Sequence, residues 1–190
     1  MLAKPTSVGS MMHDWNAVAT VQTEGMAEAR RLLGRLAKVE HTGYYHVLAL
    51  KAEAPERLLS EFATMVESSP GVVNFVSHLM AAQEMFEFDS LEEFETKARE
   101  AVAARLSDLR GRSFHVRIHR RGMKGTLSSQ QAERDLDAAL IAALQASGEP
   151  GRISFEDPDA IVQIETIDSR AGLSVWTRDE LRRFPFLGVD

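Results

Sequence analysis

An α+β fold arranged as two units is what the sequence predicts, and three observations carry that expectation. Short runs of β-forming residues alternate with amphipathic stretches from Trp15 onward, so strands and helices are interleaved along the chain. Midway, Ser90-x-x-Glu93 forms a capping box, with Glu92, Glu93 and Glu95 where a helix dipole favours anions, and a new series of elements begins there. The composition is globular: of 190 residues, 44% are hydrophobic and 26% charged, which supplies a core and excludes disordered, collagenous and fibrous chains. The expected organisation is a flexible tail over 1–14, one unit over 15–89 and a second over 90–190.

In the first unit, Trp15 to Val21 (WNAVATV) is rich enough in β-formers for a short buried strand. Met26 to Val39 then sets Met26, Ala29, Leu32, Leu33 and Leu36 at helical spacing, with Arg30, Arg31, Arg35 and Lys38 between them, which predicts an amphipathic helix. Thr42-Gly43 turns into a second strand, Tyr44 to Ala52, and Pro55 suits the first turn of a helix carrying Leu58, Leu59, Phe62, Met65 and Val66. After the break at Ser68 to Gly71, Val72 to Ala82 is a third strand, and Glu84 to Phe88 is the candidate for a fourth. Strand, helix, strand, helix, strand is the order of half or more of a ferredoxin-like fold.

In the second unit, Phe94, Ala98, Ala101, Val102, Leu106 and Leu109 stripe a helix that Gly111 stops. Phe114 to Arg121 alternates with period two, placing Phe114, Val116 and Ile118 on one face and His115, Arg117, His119 and Arg121 on the other, outward one. Ser128-x-x-Gln131 opens another helix through Leu136, Leu140 and Leu144, closed by Gly148 and Pro150. Ile153 to Phe155, Ala160 to Ile167 and Ala171 to Trp176 are strand-like, separated by the turn groups Asp157-Pro158-Asp159 and Asp168-Ser169-Arg170. Thr177-x-x-Glu180 caps a last short helix, and FPFLGVD follows, whose apolar residues serve either the core or a partner.

Net charge is −6, so a chain-wide cationic field for nucleic acid or anionic lipid is absent and any polyanion site must be local. Cysteine is absent, which removes disulfides, thiolate nucleophiles and thiolate metal sites and fits a reducing, cytoplasmic setting. The first dozen residues lack the apolar run of roughly 7–15 residues that a signal peptide needs. No stretch approaches the roughly 20 apolar residues of a membrane span, so a soluble protein is expected.

Against that acidic background, Arg110, Arg112, Arg117, Arg120, Arg121 and Lys124 form a run without a single Asp or Glu. Cations on one strand face repel one another when no anion is near, by about 0.5 kcal/mol per neighbouring pair. The run leads into RRGMKGT, where Gly122 and Gly125 would let backbone amides approach a ligand closely, and then into a helix N-terminus with free N–H groups. Strand, loop and helix end converge on an anion site suited to phosphate; the plainer reading of such a run is a solvated face.

The stretches FHVRIHRRGMKGTLSSQQAERDLDAAL and ISFEDPDAIVQIETIDSRAGLSVWTRDELRRFPFLGVD resemble a THUMP domain over about 90–190, with 15–89 where a preceding ferredoxin-like domain belongs. THUMP domains are RNA-binding modules of tRNA thiouridine synthetases, RNA methyltransferases and pseudouridine synthases, and the closest similarity is to stand-alone tRNA-acetylation adaptors. The resemblance implies a non-catalytic protein, not an enzyme, that recognises the acceptor-stem region of tRNA and presents it to a separate tRNA-modifying enzyme such as an acetyltransferase. It implies no cofactor, no metal, no DNA and no membrane partner. The RNA-binding residues it implies are Arg117, His119, Arg120, Arg121 and Lys124, with Arg178, Arg182 and Arg183 as weaker additions, and the basic run with its glycine loop adds Arg112, Gly122 and Gly125. The alternative is a small enzyme acting on a phosphorylated ligand or nucleotide at the same basic glycine loop, and a third reading is a scaffold whose basic strand grips an acidic protein.

Other chemistry is poorly served. His115 and His119 lie roughly 13 Å apart on a strand, too far to share a metal. Gly122-x-x-Gly125 resembles the clamp loop of KH domains, yet a strand precedes it rather than a helix. Asp157-Pro158-Asp159 reads as a capped turn rather than a carboxylate pair, and Trp176 as core or as a base-stacking ring. No P-loop, G-x-S-x-G, G-x-G-x-x-G or H-E-x-x-H string occurs.

Overall fold

A computed structural model describes residues 13–188. Residues 1–12 of the expected tail and the last two of FPFLGVD lie outside the described residues. The chain opens with β1 (Ala17–Val21), α1 (Met26–Leu33), β2 (Lys38–His41), β3 (Val47–Lys51), α2 (Pro55–Ser68) and β4 (Val76–Ala81). Their sheet is antiparallel throughout, in the order β2-β3-β1-β4. Alternation divides it into two faces: Ala17, Ala19 and Val21 pack with Leu33, Leu58 and Phe62 from the helices, while Val18, Val47 and Ala49 pack with Trp15 and Ile167 on the other side.

Within this first sheet and its helices, three boundaries differ clearly from the sequence expectation, each for a local reason; later in the chain, the helix expected to reach Arg110 ends at Ala104 and is followed by a 3₁₀ turn over Leu106–Leu109. The helix expected to reach Val39 ends at Leu33; Gly34 caps it, and Leu36 and Ala37 bond back to the Leu33 carbonyl at 2.9 and 3.0 Å. Lys38–His41 is then the fourth strand of this sheet, paired with β3. The strand expected from Tyr44 begins at Val47, because Thr42 Oγ1 donates to the Val47 carbonyl (2.9 Å) and accepts from Tyr44 N (3.1 Å), folding residues 42–46 into a turn with His46 at φ +59°. Pro70–Asn74 forms a single 3₁₀ turn, so the third expected strand starts only at Val76.

The second sheet is built from β5 (Glu84–Glu87), β6 (Ser113–His119), β7 (Arg152–Ile153), β8 (Ala160–Ile167) and β9 (Arg170–Thr177), in the order β5-β9-β8-β6-β7. Glu84–Glu87, the candidate for a fourth strand in the first sheet, pairs here with β9 instead. Helices α3 (Leu91–Ala104) and α4 (Ser129–Ala146) cover one face through Phe94, Ala98, Leu136 and Leu140, against Phe114, Val116 and Ile118 of β6. Ser90 and Ser128 cap these helices by accepting from Glu93 N and Gln131 N, as their capping-box spacing predicts.

β6 is parallel to both of its neighbours, and β7 covers only Ser113 and Phe114 of its outer edge. Beyond that point α4 seals the edge: Asp137 accepts from Val116 N (2.9 Å) and Glu133 from Ile118 N (2.8 Å). Burial, opposed by the bond from Val116 and reinforced by Glu133, pushes the Asp137 carboxyl up to about 6. After α5 (Arg178–Arg183), Phe184, Phe186 and Leu187 enter the core of the first sheet, Phe186 meeting Phe62 edge-on at 4.8 Å. That settles the two uses open to FPFL in favour of packing. Among the described residues, no helix is long and apolar enough to cross a membrane.

Candidate nucleic-acid interface

The cationic strand does not present one uniform outward face, because its parallel register supplies an anion that the local sequence lacks. His119 lies level with Glu165 of β8, and Glu165 is fully buried. One oxygen of Glu165 accepts from His119 Nδ1 (2.7 Å) and Gln163 Nε2 (2.9 Å) and is met by His78 Nε2 at 3.1 Å; the other accepts from the Arg121 guanidinium. The same guanidinium reaches Thr20 Oγ1 on β1 at 3.3 Å, and His78 sits on β4, so the cluster joins the two sheets. Trp176 Nε1 can only donate, and it donates to Gln163 Oε1 at 2.8 Å, which fixes the amide so that its nitrogen faces Glu165. Trp176 is therefore a core residue that orients a buried network, and not an exposed stacking ring.

Burial alone would raise the Glu165 carboxyl, but the hydrogen bonds from His119 and His78 and the charge of Arg121 outweigh it and hold the group well below the usual carboxylate range. His78, His119 and Glu165 also offer three ligand-type atoms within 4.8 Å of one another. The donor set suits a hydrogen-bonded carboxylate better than a metal: Gln163 and Arg121 already fill its remaining lone pairs, and a guanidinium at contact distance opposes a second cation.

The geometry places the predicted residues in different surroundings. His119 and Arg121, expected in an RNA-facing row, are part-buried and bonded to Glu165, which offsets their charge. His115 is buried and donates from Nδ1 to the Ser154 carbonyl at 2.8 Å, so it neither faces water nor flanks a phosphate. Arg117 is half-buried and engaged within the protein. Arg120 donates to the Gly122 carbonyl. Arg178 is held between Asp157 and Asp159, at 3.1 Å from each, so that the Asp-Pro-Asp turn neutralises it.

The glycine loop also has a structural duty. Gly122 lies at φ +98°, and a Cβ there would stand 2.9 Å from Asp168 Cα and 3.0 Å from the Tyr44 hydroxyl, so its bareness admits the β8–β9 turn. Tyr44 donates to Asp168, and burial together with that bond pushes its hydroxyl up to about 12. Past this pinned corner the loop opens: Lys124 and Gly125 are exposed, Gly125 at φ +81° with open space around it, and the N-terminus of α4 follows. Arg112, Arg182 and Arg183 are exposed as well, and Arg112 and Arg182 line an open cleft with Arg178. The accessible cations thus lie at the two ends of β6, and its middle is built inward.

Sequence reasoning missed the Glu165 cluster, although β8 carried a signal: Gln163 and Glu165 are two apart, hence on one face, in an otherwise apolar strand.

No family of known sequences matches the chain, and no curated protein does. Solved structures do share its fold. PH1313 from Pyrococcus horikoshii Ot3 superposes with a TM-score of 0.56 at 12% identity, covering 84% of this chain and 53% of that one. TrmN from Thermus thermophilus gives 0.55 at 18% identity, covering 85% and 44%. A 4-thiouridine synthetase–RNA complex with bound ATP gives 0.53 at 12% identity, covering 86% and 42%. The chain therefore spans about half or less of the structures it resembles. The expectation of a non-catalytic adaptor that is not an enzyme is overturned, since the fold recurs in a synthetase and in structures described as methylases. What the likeness shows is an α+β fold of the kind found in RNA-modifying and methyltransferase structures.

Proposed function

We propose that this protein serves an enzymatic RNA-modification reaction and holds the RNA, tRNA being the substrate that the THUMP resemblance of 90–190 favours. The observation that carries this reading is the recurrence of 86% of the chain's fold in a synthetase solved with RNA. The β-α-β-β-α-β order of the first unit, with its strands arranged β2-β3-β1-β4, supports a ferredoxin-like domain over 15–89 ahead of the RNA-binding one. Phosphate contacts fall to Arg112, Lys124, Arg182 and Arg183, which are exposed, and to the backbone N–H groups around Gly125 and the α4 N-terminus. A second reading, action on a phosphorylated ligand or nucleotide at the same loop, gains support from the ATP bound in that synthetase structure.

Titration of unmodified tRNA, duplex DNA and ATP against the protein at several salt concentrations separates these readings. The RNA reading expects tRNA to bind in preference to DNA, with affinity falling steeply as salt rises. Salt-independent binding, or equal affinity for DNA, overturns it, and saturable ATP binding without RNA binding favours the second reading.

A further inference from the structure

We propose that the cavity walled by Trp15, Ile167 and Arg170 is the seat of a nucleobase that carries an exocyclic amino group; this deepens the RNA and nucleotide readings above and rests on them. The cavity takes Trp15, Ala49 and Ile167 from the apolar layer between the two sheets, and Asp168 and Arg170 from the β8–β9 turn and the start of β9. Its volume of about 240 Å³ lies below the roughly 300 Å³ at which pockets for drug-sized ligands begin, so it suits a single heterocycle. Trp15 is 1% exposed, and among the described residues nothing accepts from its indole N–H, which can only donate. A buried donor without a partner is costly, and an acceptor on a ligand removes that cost.

Asp168 supplies the complementary group. One of its oxygens accepts from the Tyr44 hydroxyl, and no described residue donates to the other. A free donor and a free acceptor in one small cavity match a base edge that sets an amino group beside a ring nitrogen, as in adenine and cytosine; uracil has no amino group. Arg170 adds a flat surface, its guanidinium 6.0 Å from the Trp15 ring and held by the Trp15 carbonyl (3.2 Å) and Glu87 (2.7 Å). Guanidinium planes stack on bases, and one already fixed needs no ordering when the base arrives. Glu87 offsets the charge of Arg170 and Asp168 adds a second carboxylate, so the cavity repels a phosphate and takes the neutral part of a nucleotide. Asp168 also abuts Gly122, two residues before the exposed Lys124, so the cavity adjoins the loop to which phosphate contacts fall.

Titration of the full chain with AMP, UMP, and single-stranded oligo-A and oligo-U of equal length, followed through the indole N–H signals in ¹H–¹⁵N spectra, tests the assignment. The sequence holds two tryptophans, and Trp15→Phe or Trp176→Phe tells their signals apart. Adenine probes are expected to shift the Trp15 signal and not that of Trp176, and to bind about tenfold more tightly than uracil probes, the scale of one hydrogen bond to a charged acceptor. A shift with AMP assigns the base to a free nucleotide, and a shift with oligo-A alone assigns it to an RNA strand. Asp168→Asn is expected to bring the adenine-to-uracil ratio to about one at an unchanged melting temperature, because asparagine suits the φ of +52° and keeps an oxygen for Tyr44. A Trp15 signal that stays in place while tRNA or ATP binds, equal affinity for the two bases, or a preference that survives Asp168→Asn overturns this inference and leaves the readings above standing. Failure of tRNA, ATP and every probe to bind removes both.

Discussion

Two regions of one cationic run behave as opposites. At the C-terminal end of β6, His119 and Arg121 turn inward onto Glu165 and tie the sheets together; a few residues on, Lys124 and Gly125 stand in solvent beside a helix N-terminus. The local sequence gives these residues the same sign and similar neighbours. What separates them is a carboxylate on β8 that only the parallel register brings alongside. A basic run therefore indicates where charge is concentrated along the chain, while the fold decides which of its members remain available to a polyanion.

The largest test of that contrast is Glu165→Ala. It leaves the buried His78 and the part-buried His119 and Arg121 without their anion, and denaturant unfolding should show a loss of about 3 kcal/mol, the lower end of the scale for breaking a buried ion pair. The pH dependence has a definite sign. The folded pKa of Glu165 is lowered, so its contribution is fully present above the ordinary value of 4.5 and is lost as pH falls below that toward the folded value. Glu165→Gln should accordingly flatten the acid limb of the stability curve.

Next in size is the paired comparison of Arg121→Ala with Lys124→Ala. The first should lower stability by an amount approaching that of Glu165→Ala and disturb RNA binding only through the fold. The second should leave the melting temperature within experimental error and reduce the salt slope of RNA binding by about one. A stable Arg121→Ala protein with weakened RNA binding would break the comparison and return the strand to an outward cationic face.

The smallest effect is expected from Asp137→Asn, which keeps the acceptor for Val116 N but removes a charge that burial disfavours. Because the folded pKa is raised, the native state binds the extra proton between 3.8 and about 6, so wild-type stability declines as pH rises through that window. Thermal melts of Asp137→Asn should show a shallower decline there and a slightly higher midpoint at neutral pH.

How far the sequence could be read follows from which interactions are local. The alternation of Phe114, Val116 and Ile118 and the serine caps at 90 and 128 depend on neighbours a few residues away, and they came through correctly. Leu36 and Lys38 prolonged a helical spacing past Gly34 because periodicity contains no term for strand pairing, and Lys38–His41 is a strand only through its ladder to β3. The same limit applied to the site. Lys124 was legible as an exposed cation, but nothing near His119 in sequence announces Glu165 or His78, which arrive from another strand and another sheet.

The insertion of Phe184, Phe186 and Leu187 into the core under β4 also bears on how the molecule is made. During synthesis β1 to β4 emerge early, yet the hydrophobic surface around Phe62 stays uncovered until these residues leave the ribosome, long after α2 has formed. Until then the apolar surface around Phe62 lacks this cover. Once the segment docks, each half of the chain holds the other closed, and unfolding should be recorded as one cooperative transition rather than two.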